Sequence, residues 1–208
     1  MKKAYFFLSI LFPFLFLEKT TAQWSVTPSI GVNNARIDFV KFPKKVKSIN
    51  FEVFSLSTKY NFTKKVAFEL AFQLSGKGFA SVDTLNGMKV HYADYLPTLE
   101  YQISPNFSVF GGINIGHTAV EYFARDNKSW QSIPIRYPKV NKFDYGWLLG
   151  IRAKYKNIQI SLHSNRSFIS AIDLERLSRN RFQIAEGAKA LHQVFQLTLG
   201  YQLNFNRL

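Results

Sequence analysis

Val66-Ala67-Phe68-Glu69-Leu70-Ala71-Phe72-Gln73-Leu74 alternates without a break: each even position is large and apolar, each odd one small or polar. Side chains on a strand point to opposite faces in turn, so Val66, Phe68, Leu70, Phe72 and Leu74 share one surface while Glu69 and Gln73 share the other. Helical spacing would mix the two sets. The dyad returns in the closing segment, where Phe195, Leu197, Leu199, Tyr201, Leu203 and Phe205 alternate with Gln196, Thr198, Gly200, Gln202 and Asn204. Tyr95 to Ile103, Phe107 to His117, Phe143 to Tyr155 and Ile158 to Asn165 also carry one apolar face. Two weaker segments, Trp24 to Asn33 and Asn50 to Tyr60, bring the set to about eight.

The connections between these strands decide the architecture. Asn61 to Lys64, Ser104 to Asn106 and Lys156-Asn157 are hairpin-sized. Asn34 to Ile49, Gly76 to Val90, Thr118 to Lys142 and Arg166 to His192 are long and polar. Short and long alternate strictly, which predicts an eight-stranded antiparallel up-and-down transmembrane β-barrel with short periplasmic turns and long extracellular loops. An even strand number puts both ends of the barrel on the short-turn side.

Lipid cannot hydrogen-bond to a polar side chain, so the uniformly apolar face should look outward and the Gly, Ser, Gln and charged face inward. A soluble periplasmic barrel carrying an apolar ligand would reverse both faces, and it stands as an alternative. Tyr60, Tyr101, Phe107, Tyr155 and Phe205 fall beside the short-turn ends, where an interfacial girdle belongs. Phe110 and Leu148 land on the inner face, as packing inside a narrow barrel. Pro97 sits mid-strand, where it removes a ladder donor.

Residues 1–22 read as a cleaved signal peptide: Lys2 and Lys3 precede an apolar run from Ala4 to Leu17, interrupted by Pro13, and Thr20-Thr21-Ala22 offers small residues for cleavage. The run falls short of the roughly twenty apolar residues a spanning helix needs. Residues 23–208 form the barrel domain. Its net charge falls from +14 to +12 when three lysines and one glutamate leave with the leader. In an exported chain this basic balance points to anionic lipid head groups or polysaccharide rather than nucleic acid. With no cysteine, disulfide staples and thiolate metal sites are excluded.

Few residues suggest chemistry. His163 and Ser164 raise a lipid A-modifying enzyme as a second alternative, yet as neighbours on a strand they point to opposite faces and cannot meet as base and nucleophile. Glu69, Glu100, Arg152 and Lys154 share the inner face near the short turns and are expected to form a structural charge network across the lumen. Asp94 and Asp144, nearer the outer rim, are expected to be solvent-exposed. Arg36, Lys41, Lys44, Lys45 and Lys47 crowd the first long loop, and Arg176, Arg179, Arg181 and Lys189 the last. At the outer leaflet these basic side chains could contact lipopolysaccharide phosphates. No His/Asp/Glu spacing suggests a metal, and no phosphate-binding glycine loop is present; no cofactor, catalytic residue or nucleic-acid partner is expected, and an envelope protein partner is left open.

Several segments carry a resemblance: Ala93-Asp94-Tyr95-Leu96-Pro97 leading to Leu99-Glu100-Tyr101, Phe110-Gly111-Gly112-Ile113-Asn114-Ile115-Gly116, Phe143-Asp144-Tyr145-Gly146-Trp147-Leu148-Leu149-Gly150, and Val194-Phe195-Gln196-Leu197-Thr198-Leu199-Gly200-Tyr201. Over most of residues 23–208 the chain resembles the PorT-type outer-membrane β-barrel family of Gram-negative bacteria. The resemblance implies an outer-membrane barrel of about eight strands, in which a proline at the position of Pro97 is common. The member that names the family is linked to protein secretion and gliding. The function expected is that of a non-enzymatic barrel acting through its extracellular loops as a structural, adhesion or secretion/assembly-related component.

Overall fold

A computed structural model describes residues 23–41, 46–81, 87–124, 140–172 and 187–205. The chain runs through β1 (Gln23–Val40), a two-residue β2 (Val46–Lys47), β3 (Ile49–Asn61), β4 (Val66–Ser81), β5 (Gly87–Ser104), β6 (Phe107–Ala124), β7 (Phe143–Tyr155), β8 (Ile158–Ser167), β9 (Lys189–Tyr201) and a short β10 (Leu203–Phe205). Eight of these are long and pair antiparallel with their neighbours. Closure comes from β1, which pairs with β3 on one side and with β9 and β10 on the other. A closed ladder satisfies the backbone groups that an open edge would expose to hydrocarbon.

The three turns at one end are short because local hydrogen bonds close them. Thr63 Oγ1 accepts from the backbone N–H of Lys65 and Val66 at 3.1 and 2.9 Å, and Phe62 N–H donates to Val66 O at 3.0 Å. At Lys156-Asn157, Lys156 takes a left-handed φ of 53°. Pro97 interrupts the β5–β6 ladder without shifting it: Tyr95 pairs with Ile115 and Thr98 with Gly112, in one register. A Cβ on Gly112 would stand 2.1 Å from Pro97 O, so only glycine admits this close approach.

The strands outrun the sequence reading at the long-loop end. β1, β5 and β6 each run 18 residues and β4 runs 16, whereas a tilted transmembrane strand needs about 9–11. Residues expected in loops, among them Arg36, Lys77 and Lys89, therefore belong to strands. The reason is a reversal of polarity part-way along the wall. On β1, Ile30 and Val32 face out and Ser25, Thr27 and Asn33 face in; above them Asn34 and Arg36 face out, and Ala35 and Ile37 face in. On β5, outward Leu99 and Tyr95 give way to outward His91, and inward Glu100 and Asp94 to inward Tyr92, Val90 and Met88. β3 and β9 change at Glu52 and Gln193. Below the change the outside solvent is lipid; above it the outside solvent is water, and the ordinary rule for a soluble barrel returns.

The wall also parts locally. β3 and β4 pair only up to Phe54 and Leu74, and β2 rejoins β4 at Lys47 and Ala80. In between, Asn33 Nδ2 donates to Gly76 O at 2.8 Å and the Phe51 ring lies against Gly76.

Candidate functional site

The faces fall as hydrocarbon demands. Phe68 and Leu197 are 37% and 48% exposed on the outer wall, whereas Gln73 and Gln196 are buried inside, donating amide hydrogens to each other at 3.2 and 2.7 Å. The soluble-carrier alternative required the opposite and is excluded. Trp24 and Tyr60 pack ring to ring at 4.8 Å beside the short turns, with Tyr101, Phe107, Tyr155, Tyr201 and Phe205 exposed around the same end.

The lumen is filled in layers. Lowest is a four-residue charge network: Arg152 donates to Glu69 from Nη1 and Nη2 at 2.7 and 3.0 Å, bonds Glu100 through Nη1, and reaches Ser161 from Nε at 2.9 Å. Lys59 Nζ donates to Glu100 at 3.2 Å. All four ions are buried, and two cations meet two carboxylates. Sequence reasoning placed Lys154 in this group; it instead lines the space beneath, half-buried and without a salt bridge among the described residues. Lys59 fills the fourth place, and its inward parity on β3 was the available signal. The Arg152 guanidinium also stands 4.8 Å from the centroid of Phe110. That ring belongs to the next layer, with Ala71, Leu96 and Leu148.

Above the Gln73–Gln196 pair lies a second ionic layer that the sequence reading missed. Lys77 Nζ donates to Asp94 Oδ1 at 2.9 Å and to Asp144 Oδ2 at 2.7 Å, and sits 4.6 Å from the Tyr92 ring centroid. Ser75 Oγ donates to Asp94 Oδ2 at 2.5 Å. Asp94 and Asp144 are thus 0% and 2% exposed, correcting the expectation of solvent exposure. The strands continue past them, so the rim lies farther out than the apolar bands alone indicate. Tyr92 Oη and His192 Nε2 meet at 3.2 Å. Over them the lumen ends in an apolar plug of Ile37, Phe79, Met88, Val90, Val140, Ile172 and Ala190.

Among the described residues, His163 and Ser164 do not converge as a catalytic pair. His163 is buried in the lumen against Phe110, while Ser164 points to the other face. No group of three or more metal-ligating side chains occurs among the described residues. Of the basic loop residues, Lys41 lies just past β1 and is exposed, with a left-handed φ of 57°, and Lys47 is exposed in β2. Lys44, Lys45, Arg176, Arg179 and Arg181 fall outside the described residues, as do residues 1–22.

The crystal structure of Ail, the attachment invasion locus protein of Yersinia pestis, is similar to this chain with a TM-score of 0.53 and 16% identity, over 88% of this chain and 100% of that one. Ail in complex with the heparin analogue sucrose octasulfate gives a TM-score of 0.52 at the same identity and coverage. OprG from Pseudomonas aeruginosa gives 0.44 at 13% identity, over 91% of this chain and 98% of that one. At these identities the likeness is one of fold. No curated protein matches the sequence. Residues 16–173 match the family model for the outer membrane protein beta-barrel domain. That match covers most of the chain and agrees with a lipid-facing exterior around a polar lumen, so the chain belongs to the outer membrane protein beta-barrel domain family and is an integral protein of the outer membrane.

Proposed function

We propose that this protein is a non-enzymatic outer-membrane barrel that works through its extracellular loops, as a structural, adhesion or secretion/assembly-related component of the envelope. The observation that carries this reading is the apolar plug of Ile37, Phe79, Met88, Val90 and Ile172 beneath the loops. A lumen closed by packed side chains offers solutes no path, and the surface left for partners outside is that of the loops. Support for an anionic partner comes from Ail, which was crystallised with a heparin analogue, and from the basic character of the loops. Lys41, Lys44, Lys45 and Lys47 in the first, with Arg176, Arg179 and Arg181 in the last, would donate charge-assisted hydrogen bonds to lipopolysaccharide phosphates. A PorT-type assignment, with a link to secretion, is the finer form of the same proposal and rests on the motifs around Pro97 and Gly146-Trp147.

The test is binding of the purified barrel to vesicles of lipopolysaccharide against the same lipid stripped of phosphate. Charge reversal of Lys41, Lys44, Lys45 and Lys47 together should remove most of the difference. Equal binding to both vesicles by the native chain would overturn the phosphate assignment, and a single-channel conductance across planar bilayers would overturn the loop-based reading.

A further inference from the structure

The short-turn end holds an arrangement that the loop-based function does not use. Beneath the Arg152 network the lumen widens into a cavity of about 680 Å³. It lies between the turns at Asn61–Lys65 and Pro105-Asn106, with Gln202 and Asn204 beside them, and ends above at Glu100 and Arg152. Past the Arg152 network the bore narrows to a void of about 40 Å³ beside the layer of Ala71, Leu96, Phe110 and Leu148. The wide end of the basin faces the periplasm.

Five cationic side chains line this basin, Lys59, Lys64, Lys65, Arg152 and Lys154, against one carboxylate, Glu100. Lys59 and Arg152 are already matched by Glu100 and Glu69. Lys64, Lys65 and Lys154 make no salt bridge among the described residues, although Glu100 lies within electrostatic reach of Lys154. Lys154 lies within electrostatic reach of Lys59 and Arg152 as well, so its ammonium adds a positive charge beneath a layer that is otherwise balanced. Low-dielectric walls focus such a field and raise the local concentration of counter-ions. The volume matches pockets that take small molecules. An eight-stranded interior is just wide enough for its own side chains, which rules out entry by a folded element.

We propose that this basin binds a compact oxyanion with two or more negative charges, carried on phosphate or carboxylate groups and admitted from the periplasm. The three unmatched ammonium groups supply charge-assisted hydrogen bonds, and the Arg152 layer forms a neutral ceiling. The proposal is independent of what the loops bind.

The test is calorimetric titration of the folded full-length barrel, in zwitterionic detergent, with inorganic pyrophosphate and separately with citrate. One saturable site is expected for at least one of them. Lys154→Gln should weaken it about tenfold, the loss of one favourable charge contact, and Lys64→Gln with Lys65→Gln should act in the same direction. Lys142→Gln, an exposed lysine at the opposite end, should leave it unchanged. Folding of each variant is verified by its heat-modifiable electrophoretic mobility. Absence of saturable binding to both anions, or equal weakening by Lys142→Gln, overturns the proposal. Tighter binding of hexaglutamate than of either small anion overturns it in favour of an acidic polypeptide partner.

Discussion

Replacing Lys77 by methionine tests the upper ionic layer most directly. Lys77 is 2% exposed and is held by Asp94 at 2.9 Å and Asp144 at 2.7 Å. Methionine keeps the length of the stem and removes the charge. Two carboxylates then face each other in a space closed below by the Gln73–Gln196 pair and above by the apolar plug. Breaking a buried ion pair by deleting one partner costs about 3–5 kcal/mol, a large share of the roughly 5–15 kcal/mol that holds a domain folded. The measurement is the urea midpoint of the folded-to-unfolded mobility shift in detergent, fitted with a common slope. Lys77→Met should lower stability by about 3–5 kcal/mol. The triple variant Lys77→Met, Asp94→Asn, Asp144→Asn should recover most of that, because neutral amides leave no uncompensated charge. A loss under about 1 kcal/mol for the single variant, the range of exposed pairs, would refute the inference that this layer is dry and mutually dependent. So would a triple variant no better than the single one.

The polarity change along the wall predicts opposite outcomes for one substitution at two heights: Leu197→Arg, on the lipid face, should cost about 2–4 kcal/mol, while Gln193→Arg, four residues higher on the same face of β9, should stay within about 0.5 kcal/mol, both read by urea unfolding in lipid vesicles. Gly112→Ala forces a Cβ to 2.1 Å from Pro97 O and should destabilise the barrel by about 1–3 kcal/mol, as overpacking does; Gly111→Ala, whose Cβ would first meet atoms at 3.4 Å, should be nearly neutral in the same assay. Arg152→Met strands Glu69, while Lys59 still holds Glu100, and should cost about 3–5 kcal/mol, with Glu69→Gln added to it restoring stability.

The lower half of the barrel was legible in the sequence because lipid outside and polar groups inside produce an unbroken dyad, as in Val66 to Leu74. Glu69, Glu100 and Arg152 were legible on the same grounds: inward parity and similar height brought them together. Lys59 carried the same parity but lay in one of the two weaker segments. The upper half was hidden by the very change of solvent that shapes it. Along β5, the apolar face switches between Tyr95 and Tyr92, so a search for one continuous apolar face ends there and reads Val90, Lys89 and Gly87 as loop. Gly76 and Gly78 reinforce that reading on β4. Once those strands are shortened, Lys77 leaves the lumen and Asp94 and Asp144 come to lie at a rim, with no partner in view. Patterning that lets the polar and apolar faces exchange once along a strand recovers both the extra length and the second charge layer.

The two ionic layers also bear on the order of assembly. Arg152 on β7 meets Glu69 on β4, and Lys77 on β4 meets Asp144 on β7. Strands β4 and β7 are not neighbours in the sheet. Neither bond can form while the sheet is still an open ribbon, however complete its ladders. Each becomes possible only when the ribbon has curled far enough to bring distant staves face to face across the bore. The matched charges thus act as a pair of latches, one low and one high, that engage once the ribbon has curled and penalise any sheet that stays flat.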